Sequence, residues 1–333
     1  MPYTVWGAFD AFRKNSVDIS SDTSKRAKSS RSYLFDQLKG LNASDSACPK
    51  FYEFFSFGSF ARRTKITPLD DIDLLATVSG AGTVPSQSPN NRYDYWLSIT
   101  DSTMPLAKYN DGYGYVSSIR LLNQIKSSLG EVSNYKKADI KRNQQAVVLN
   151  LTSYTWNFDI VPAVAVISLF DSTTAHYLIP NGNGNWTRTD PRKDTVSIND
   201  VNGKHNIDIP AAIRLLKYWN RRTHKPKLIS YYFETLCLKT FNNASSLSSF
   251  PEAITYFFNI CPIYLDYPCY DPKGLGPNLD VGVTTDTKNK VKSAMSDAYQ
   301  AATLANRYEA QNQPQLAIGA WKTVFGPDFP SYG

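Results

Sequence analysis

Phe57-Gly58-Ser59-Phe60-Ala61-Arg62-Arg63-Thr64-Lys65-Ile66-Thr67-Pro68-Leu69-Asp70-Asp71-Ile72-Asp73-Leu74-Leu75 sets a small turn and a pair of acids within one short segment. The Gly58-Ser59 turn offers backbone N–H groups of the kind that hold phosphate oxygens. Asp71 and Asp73 stand i, i+2 in a run that reads as a strand, so Ile72 turns into the core and both carboxylates project from one face. Two anions so close raise one another's pKa unless a cation lies between them. Magnesium takes oxygen ligands and is often held by one or two carboxylates together with substrate phosphates. A phosphate grip beside a metal grip points to nucleotidyl transfer. Asp-x-Asp alone is a common loop feature, and the neighbouring Gly-Ser gives it weight. Asp70 faces the other way and reads as a turn residue.

A third acid, Asp159, lies in Phe158-Asp159-Ile160-Val161-Pro162-Ala163. A lone carboxylate in an apolar β-run is costly to bury without a partner, unless it caps backbone N–H groups near the strand end. Three carboxylates can hold two magnesium ions, one activating an attacking hydroxyl and the other stabilising a leaving pyrophosphate.

The chain has 333 residues, enough for a large core and for two lobes rather than one. Its composition is that of an ordinary soluble globular protein. An excess of 36 Lys and Arg over 29 Asp and Glu gives a formal +7, which suits polyanionic ligands without requiring them. The longest apolar run, Ile160 to Phe170, contains Pro162 and is too short to cross a bilayer. Met1 to Lys14 has no apolar signal-like stretch and carries Asp10. The expectation is a cytoplasmic protein with no membrane partner. Cys48, Cys237, Cys261 and Cys269 show no C-x-x-C spacing and no nearby histidine cluster, so reduced thiols are expected rather than zinc.

Residues 22–39 read as a helix, with Asp22 or Thr23 as cap, Ala27, Leu34, Leu38 and Leu41 on one stripe, and Gly40 as stop. Its other side carries Lys25, Arg26, Lys28 and Arg31, read first as a solvated face. Ser79 to Asn91 reads as an exposed loop, and Tyr115 to Leu129 as a helix stopped by Gly130. Ala146 to Leu151 and Trp156 to Val161 read as strands joined by a turn, and 181–206 as loop-rich. Helical patterns follow over Ala211 to Thr223, Tyr231 to Phe241, Pro251 to Phe258 and Lys288 to Gln311. On one of these, Lys217 shares a stripe with Arg214 and Arg221, which on the helix alone reads as an exposed basic face. The whole predicts an α+β protein: a mixed-sheet lobe over residues 1–206 with an N-terminal helix, a mostly helical lobe over 207–333, and a cleft between them.

The Gly58 to Ile66 and Asp71 to Leu74 segments resemble the signature of polymerase-β-type nucleotidyltransferases. Phe158 to Ala163 is similar to the third-acid segment of one branch, the cyclic GMP–AMP synthase/DncV-like enzymes (CD-NTases, the SMODS proteins of bacterial CBASS anti-phage defence). Tyr177-Leu178-Ile179-Pro180-Asn181, Trp186 and Thr189-Asp190-Pro191 resemble the middle of that branch. Ile213 to Asn220, Leu228 to Glu234, Asp271 to Asn278 and Phe325 to Pro330 resemble its C-terminal half, so the likeness runs from about Tyr52 to Tyr332.

The resemblance implies a polymerase-β-like core with its active site in the cleft. It makes Asp71, Asp73 and Asp159 the catalytic, metal-binding acids for two Mg2+ ions, with Mn2+ as a substitute. Gly58 and Ser59 would hold the donor triphosphate, Lys217 a phosphate, and Ser230 and Tyr231 a phosphate and a stacked base. Asp271 reads first as a turn residue. The implied substrates are NTPs, ATP and GTP ahead of the pyrimidine NTPs. The implied product is a cyclic di- or trinucleotide, made with pyrophosphate release, that diffuses to a downstream effector. Two alternatives stand beside it: an enzyme making linear oligonucleotides or extending RNA ends, and a catalytically silent nucleotide or RNA sensor. The chain has no His/Cys zinc ribbon of the kind the animal members carry, so nucleic-acid activation rests only on the basic helix.

Overall fold

The computed structural model describes residues 2–222 and 225–333. The chain opens with α1 (Val5–Phe12), extended by a π-helical turn to Val17, and α2 (Ser21–Ser44). Strand β1 (Phe51–Phe57) runs straight into the single turn α3 (Gly58–Ala61), followed by β2 (Asp71–Val78), β3 (Thr83–Gln87) and β4 (Asp94–Ile99). Next come α4 (Ser118–Glu131), β5 (Asp139–Asn143), β6 (Ala146–Asn150), β7 (Asn157–Ile167), β8 (Thr174–Pro180) and β9 (Trp186–Thr189). The remainder is helical: α5 (Pro191–Gly203), α6 (Ile209–Arg221), α7 (Ser230–Asn242), α8 (Phe250–Tyr264), α9 (Thr285–Ala310) and α10 (Pro314–Phe325).

The nine strands of the described residues form one mixed sheet in the order β1-β2-β7-β8-β9-β4-β3, with β6 also on β7 and β5 on β6. Long β7 is the hub. Its first half pairs with β6 and its second half with β8, while β2 runs parallel along its other edge from Asn157 to Val164. Strand alternation then sorts the side chains. Ile72, Leu74, Phe158 and Ile160 face α2 and α4, packing with Leu34, Leu38, Leu122 and Ile125 in the main core of this lobe. Leu75, Val161, Ala163, Tyr177 and Ile179 form a smaller apolar cluster on the opposite face. Asp71, Asp73 and Asp159 belong to that second face by the same alternation, at the end turned toward the helices.

The helical lobe has its own core around Trp219, Phe233, Phe257 and Trp321. α1 joins it: the Phe9 ring lies 5.0 Å from that of Trp321 and 5.3 Å from that of Phe329. Thus α2, the N-terminal helix read from sequence, packs on the sheet, while α1 before it packs on the other lobe.

Several elements depart from the sequence reading for identifiable reasons. Ser20, whose Oγ accepts from the Thr23 N–H, caps α2, and the helix runs through Gly40 because Leu41 beyond it is buried. Ser117 caps α4, which begins at Ser118 and also passes its glycine. The 79–91 segment contains the edge strand β3, where exposed Pro85 is tolerated because an edge position needs no N–H donor. The 181–206 stretch is not mainly loop: it holds β9 and α5, the latter capped by Asp190 with Pro191 in its first turn. α8 continues past Phe258 to Tyr264, with Pro262 in its last turn. α6 ends at Arg221, and the predicted helix end at Thr223 lies outside the described residues.

Candidate active site

Strand register gathers the acids. Asp73 pairs with Phe57 on β1 and with Asp159 on β7, and Asp71 with Asn157. The chain leaving β1 therefore turns directly above Asp73. Gly58 adopts a φ of +69°, and a Cβ there would sit 1.8 Å from Asp73 Oδ2, so both backbone and space demand glycine. After α3 the chain folds back, with the Thr64 and Lys65 N–H groups donating to the Ser59 carbonyl at 2.9 and 3.0 Å. α3 is only one turn long, so Ser59 presents a tight backbone turn rather than the end of a full helix dipole.

The acid face is short of positive charge. Burial first, then Asp71 and Asp159, push the Asp73 carboxyl up to about 7. Burial and Asp71 also raise Asp159. Lys65 is the cation within reach: its ammonium contacts Asp71 and Asp70. Burial would lower the Lys65 pKa, yet these two partners hold it above the ordinary lysine value. Asp70 is thus an exposed partner of Lys65, outside β2, as its turn reading implied.

A cavity of about 310 Å³ opens on this face, lined by Ser59, Lys65, Asp71, Asp73, Lys217 and Ser230 among others. Asp159 meets Asp73 from β7 by register without lining that cavity. A second cavity of about 320 Å³ adjoins across Gly58 and Asp73 and reaches Thr189, Tyr231 and Lys273. So Gly58, Ser59, Asp71, Asp73, Lys217, Ser230 and Tyr231 converge from both lobes around two adjoining cavities. Lys217 is not on an exposed basic face. It is 7% exposed, and its neighbours on the stripe tie α6 to the segment between α3 and β2: Arg214 to the Arg63 carbonyl and Arg221 to the Thr67 carbonyl at 2.9 Å. Asp271 accepts from the N–H groups of Leu275 and Gly276 at 3.1 and 2.8 Å, as a turn residue does.

Behind the opening lies a second set of charges that sequence reasoning did not assign. Glu234 of α7, 2% exposed, accepts from Arg62 Nε at 2.5 Å and Thr64 Oγ1 at 2.8 Å, with Lys217 Nζ at 3.4 Å. Burial alone would raise its carboxyl, but Arg62 and Lys217 hold it below the usual range. Lys217 itself is lowered by burial and by Arg62 and Lys65, against the pull of Glu234. Tyr231 donates to Asp194 at 2.7 Å and has two cations near its ring, with Lys273 Nζ 4.3 Å and Arg62 Cζ 5.4 Å from its centre. One signal was available: Glu234 is the lone acid in the apolar α7 pattern, and such a charge needs a buried partner.

Among the described residues, no group of three or more His, Cys, Asp or Glu side chains is gathered closely enough to hold a metal ion. Asp71 is instead engaged by Lys65. The donor set is nonetheless all oxygen and under-compensated, which fits a hard divalent cation that would separate the three carboxylates. The four cysteines are free and buried. No helix among the described residues is long and apolar enough to cross a membrane. On α2, Lys25, Arg26 and Lys28 are exposed, whereas Arg31 turns to Ser56 Oγ at 2.9 Å.

Residues 100–202 match the model of the Second Messenger Oligonucleotide or Dinucleotide Synthetase (SMODS) domain. A curated protein of Bacillus cereus (strain VD146), named "Probable cyclic nucleotide synthase", is 38% identical over 335 residues, spanning 100% of this chain and 99% of that protein. Among solved structures, CdnC of E. coli MS115-1 with ATP superposes with a TM-score of 0.68 at 19% identity, covering 97% of this chain and 98% of that one. Vibrio cholerae DncV, a cyclic AMP-GMP synthase with a bound linear intermediate, gives a TM-score of 0.63 at 12% identity, covering 97% of each. These two likenesses establish the polymerase-β-like nucleotidyltransferase fold.

Proposed function

This chain belongs to the SMODS family of nucleotidyltransferases (CD-NTases), and on that footing we propose that it joins NTPs, with release of pyrophosphate, into a cyclic di- or trinucleotide that serves as a CBASS anti-phage signal. The observation that carries the reading is the pairing of Asp73 with Asp159 directly beneath the Gly58 turn, with Asp71 on the same face. Acids that repel one another beside a phosphate-sized turn have an evident use in a reaction at a nucleoside triphosphate.

Asp71, Asp73 and Asp159 are the proposed holders of two Mg2+ ions, with Mn2+ as a substitute. When bound, these would supply charge neutralisation at the attacking hydroxyl and at the departing pyrophosphate. The chain's own groups do the rest. Ser59 and the backbone around Gly58 grip the donor triphosphate, and Lys217 and Ser230 meet its oxygens from the opposite wall of the same cavity. Tyr231 offers its ring to a base in the adjoining cavity, where any nucleobase presents a π-face. Glu234 keeps Arg62 and Lys217 in place, and so keeps the turn and the helical wall in register.

The CdnC structure with ATP and the DncV structure with a linear pppA(3′,5′)pG intermediate support ATP and GTP as the leading substrates. The product would reach its effector by diffusion. For nucleic acid, the exposed Lys25, Arg26 and Lys28 of α2 are the proposed contact, which stimulation lost at raised salt would reveal. The test of the core proposal is pyrophosphate release from each of the four NTPs, alone and in pairs, with Mg2+ or Mn2+. Metal-dependent release is expected. No consumption of any NTP, with or without nucleic acid, would favour a silent sensor.

A further inference from the structure

The acid face carries a cation supplied by the chain itself. Lys65 is anchored by its backbone N–H on the Ser59 carbonyl at 3.0 Å, so it moves with the phosphate turn. Its side chain is largely covered, and its ammonium contacts Asp71 and Asp70. It lines the same cavity as Ser59, Asp73, Lys217 and Ser230.

Two of the cations lining that cavity are held very differently. Lys217 pairs with Glu234, whose side chain is 2% exposed, and both are locked among buried partners. Lys65 pairs with carboxylates that are 43% and 69% exposed, and such pairs are weakened by solvent. A lysine ammonium on a flexible stem with three donors can be re-aimed without moving the backbone. An ammonium at Asp71 and a divalent cation at Asp71 also exclude one another by charge.

We propose that Lys65 is an exchangeable counter-ion: it holds Asp71 while the site is without metal and nucleotide, and transfers to the triphosphate oxygens as Asp71 turns to the metal. The inference rests on the nucleotidyltransferase reading above and assigns a positioning role within it. Asp71 would be withheld from stray cations and released only when a triphosphate arrives to take the lysine.

The swap predicts opposite shifts in two affinities when the ammonium is removed. In Lys65→Met, Mn2+ alone, followed by the electron paramagnetic resonance of the free ion, should bind about fivefold tighter because Asp71 is no longer occupied. The complex of Mg2+ with α,β-methylene-ATP, followed by calorimetry, should bind about tenfold weaker because a charge-assisted phosphate contact is gone. Lys65→Arg should return both values toward the unaltered protein. Circular dichroism checks that the variants are folded, and Lys65→Gln should give the same opposed shifts should the methionine variant fail to fold. A joint fall of both affinities, or unchanged Mn2+ binding, would overturn the swap while leaving the site assignment standing. If the unaltered protein bound neither Mn2+ nor the nucleotide complex, the site assignment itself would fall, and the swap with it.

Discussion

Two groups of charge, one buried and one half-buried, lie by the Ser59 turn, and they are built on opposite principles. Around Glu234, one carboxylate is matched by Arg62, Lys217 and the Thr64 hydroxyl, so its charge is satisfied within the protein. On the sheet, Asp71, Asp73 and Asp159 crowd together, with Lys65 contacting only Asp71 of the three. Compensated charge of the first kind fixes the relation between two lobes. Uncompensated charge of the second kind is a deficit that a ligand must fill. The contrast supports the proposal that the acid face takes the ligand and that the Glu234 knot is its frame.

The comparison breaks most sharply through substitution. Asp73→Asn should abolish product formation, by on the order of 10³-fold or more, because it removes a carboxylate proposed to hold the metal. The same change should leave the folded protein as stable or more so, since it relieves repulsion; melting curves alongside turnover check both halves. Glu234→Ala should do the reverse in stability. Leaving Arg62 and Lys217 buried without their anion costs about 3–5 kcal/mol, readable by denaturant unfolding. A stable Glu234→Ala protein would mean that the knot is not a frame. Gly58→Ala should cost about 1–3 kcal/mol through its left-handed backbone and displace Asp73, lowering turnover as well.

A last effect is a pH dependence confined to the metal-free protein. The Asp73 carboxyl is raised in the fold to about 7 from an ordinary value near 4. Its contribution is fully present below the ordinary value and is lost as pH rises through about 7. Melting temperature in EDTA should therefore decline across that window, and Asp73→Asn should remove this part of the decline. A wild-type profile unchanged by the substitution would show that the acids are not crowded as described.

Much of the acid face was legible because its information is local. Strand alternation sets Asp71 and Asp73 on one face, and the Gly-Ser turn precedes them within one segment. That Asp159 would lie beside Asp73 depends on the parallel pairing of β2 with β7, a long-range register that no single segment carries. The Glu234 knot was less legible for the same reason, since its partners come from positions 62, 64 and 217. Lys217 shows the limit clearly: helical spacing put it on a basic stripe, and only tertiary packing buries Lys217 while leaving Arg221 at the surface. α5 was missed although Asp190-Pro191 spelled its start, because the Asn- and Gly-rich run before it dominated the local pattern.

The most direct test is mass spectrometry of the products made by purified protein from all four NTPs, before and after phosphatase and exonuclease treatment. The account predicts a cyclic di- or trinucleotide that survives both treatments and is absent with Asp73→Asn. A product with a free triphosphate or hydroxyl end that the enzymes degrade, or equal product from Asp73→Asn, would contradict it.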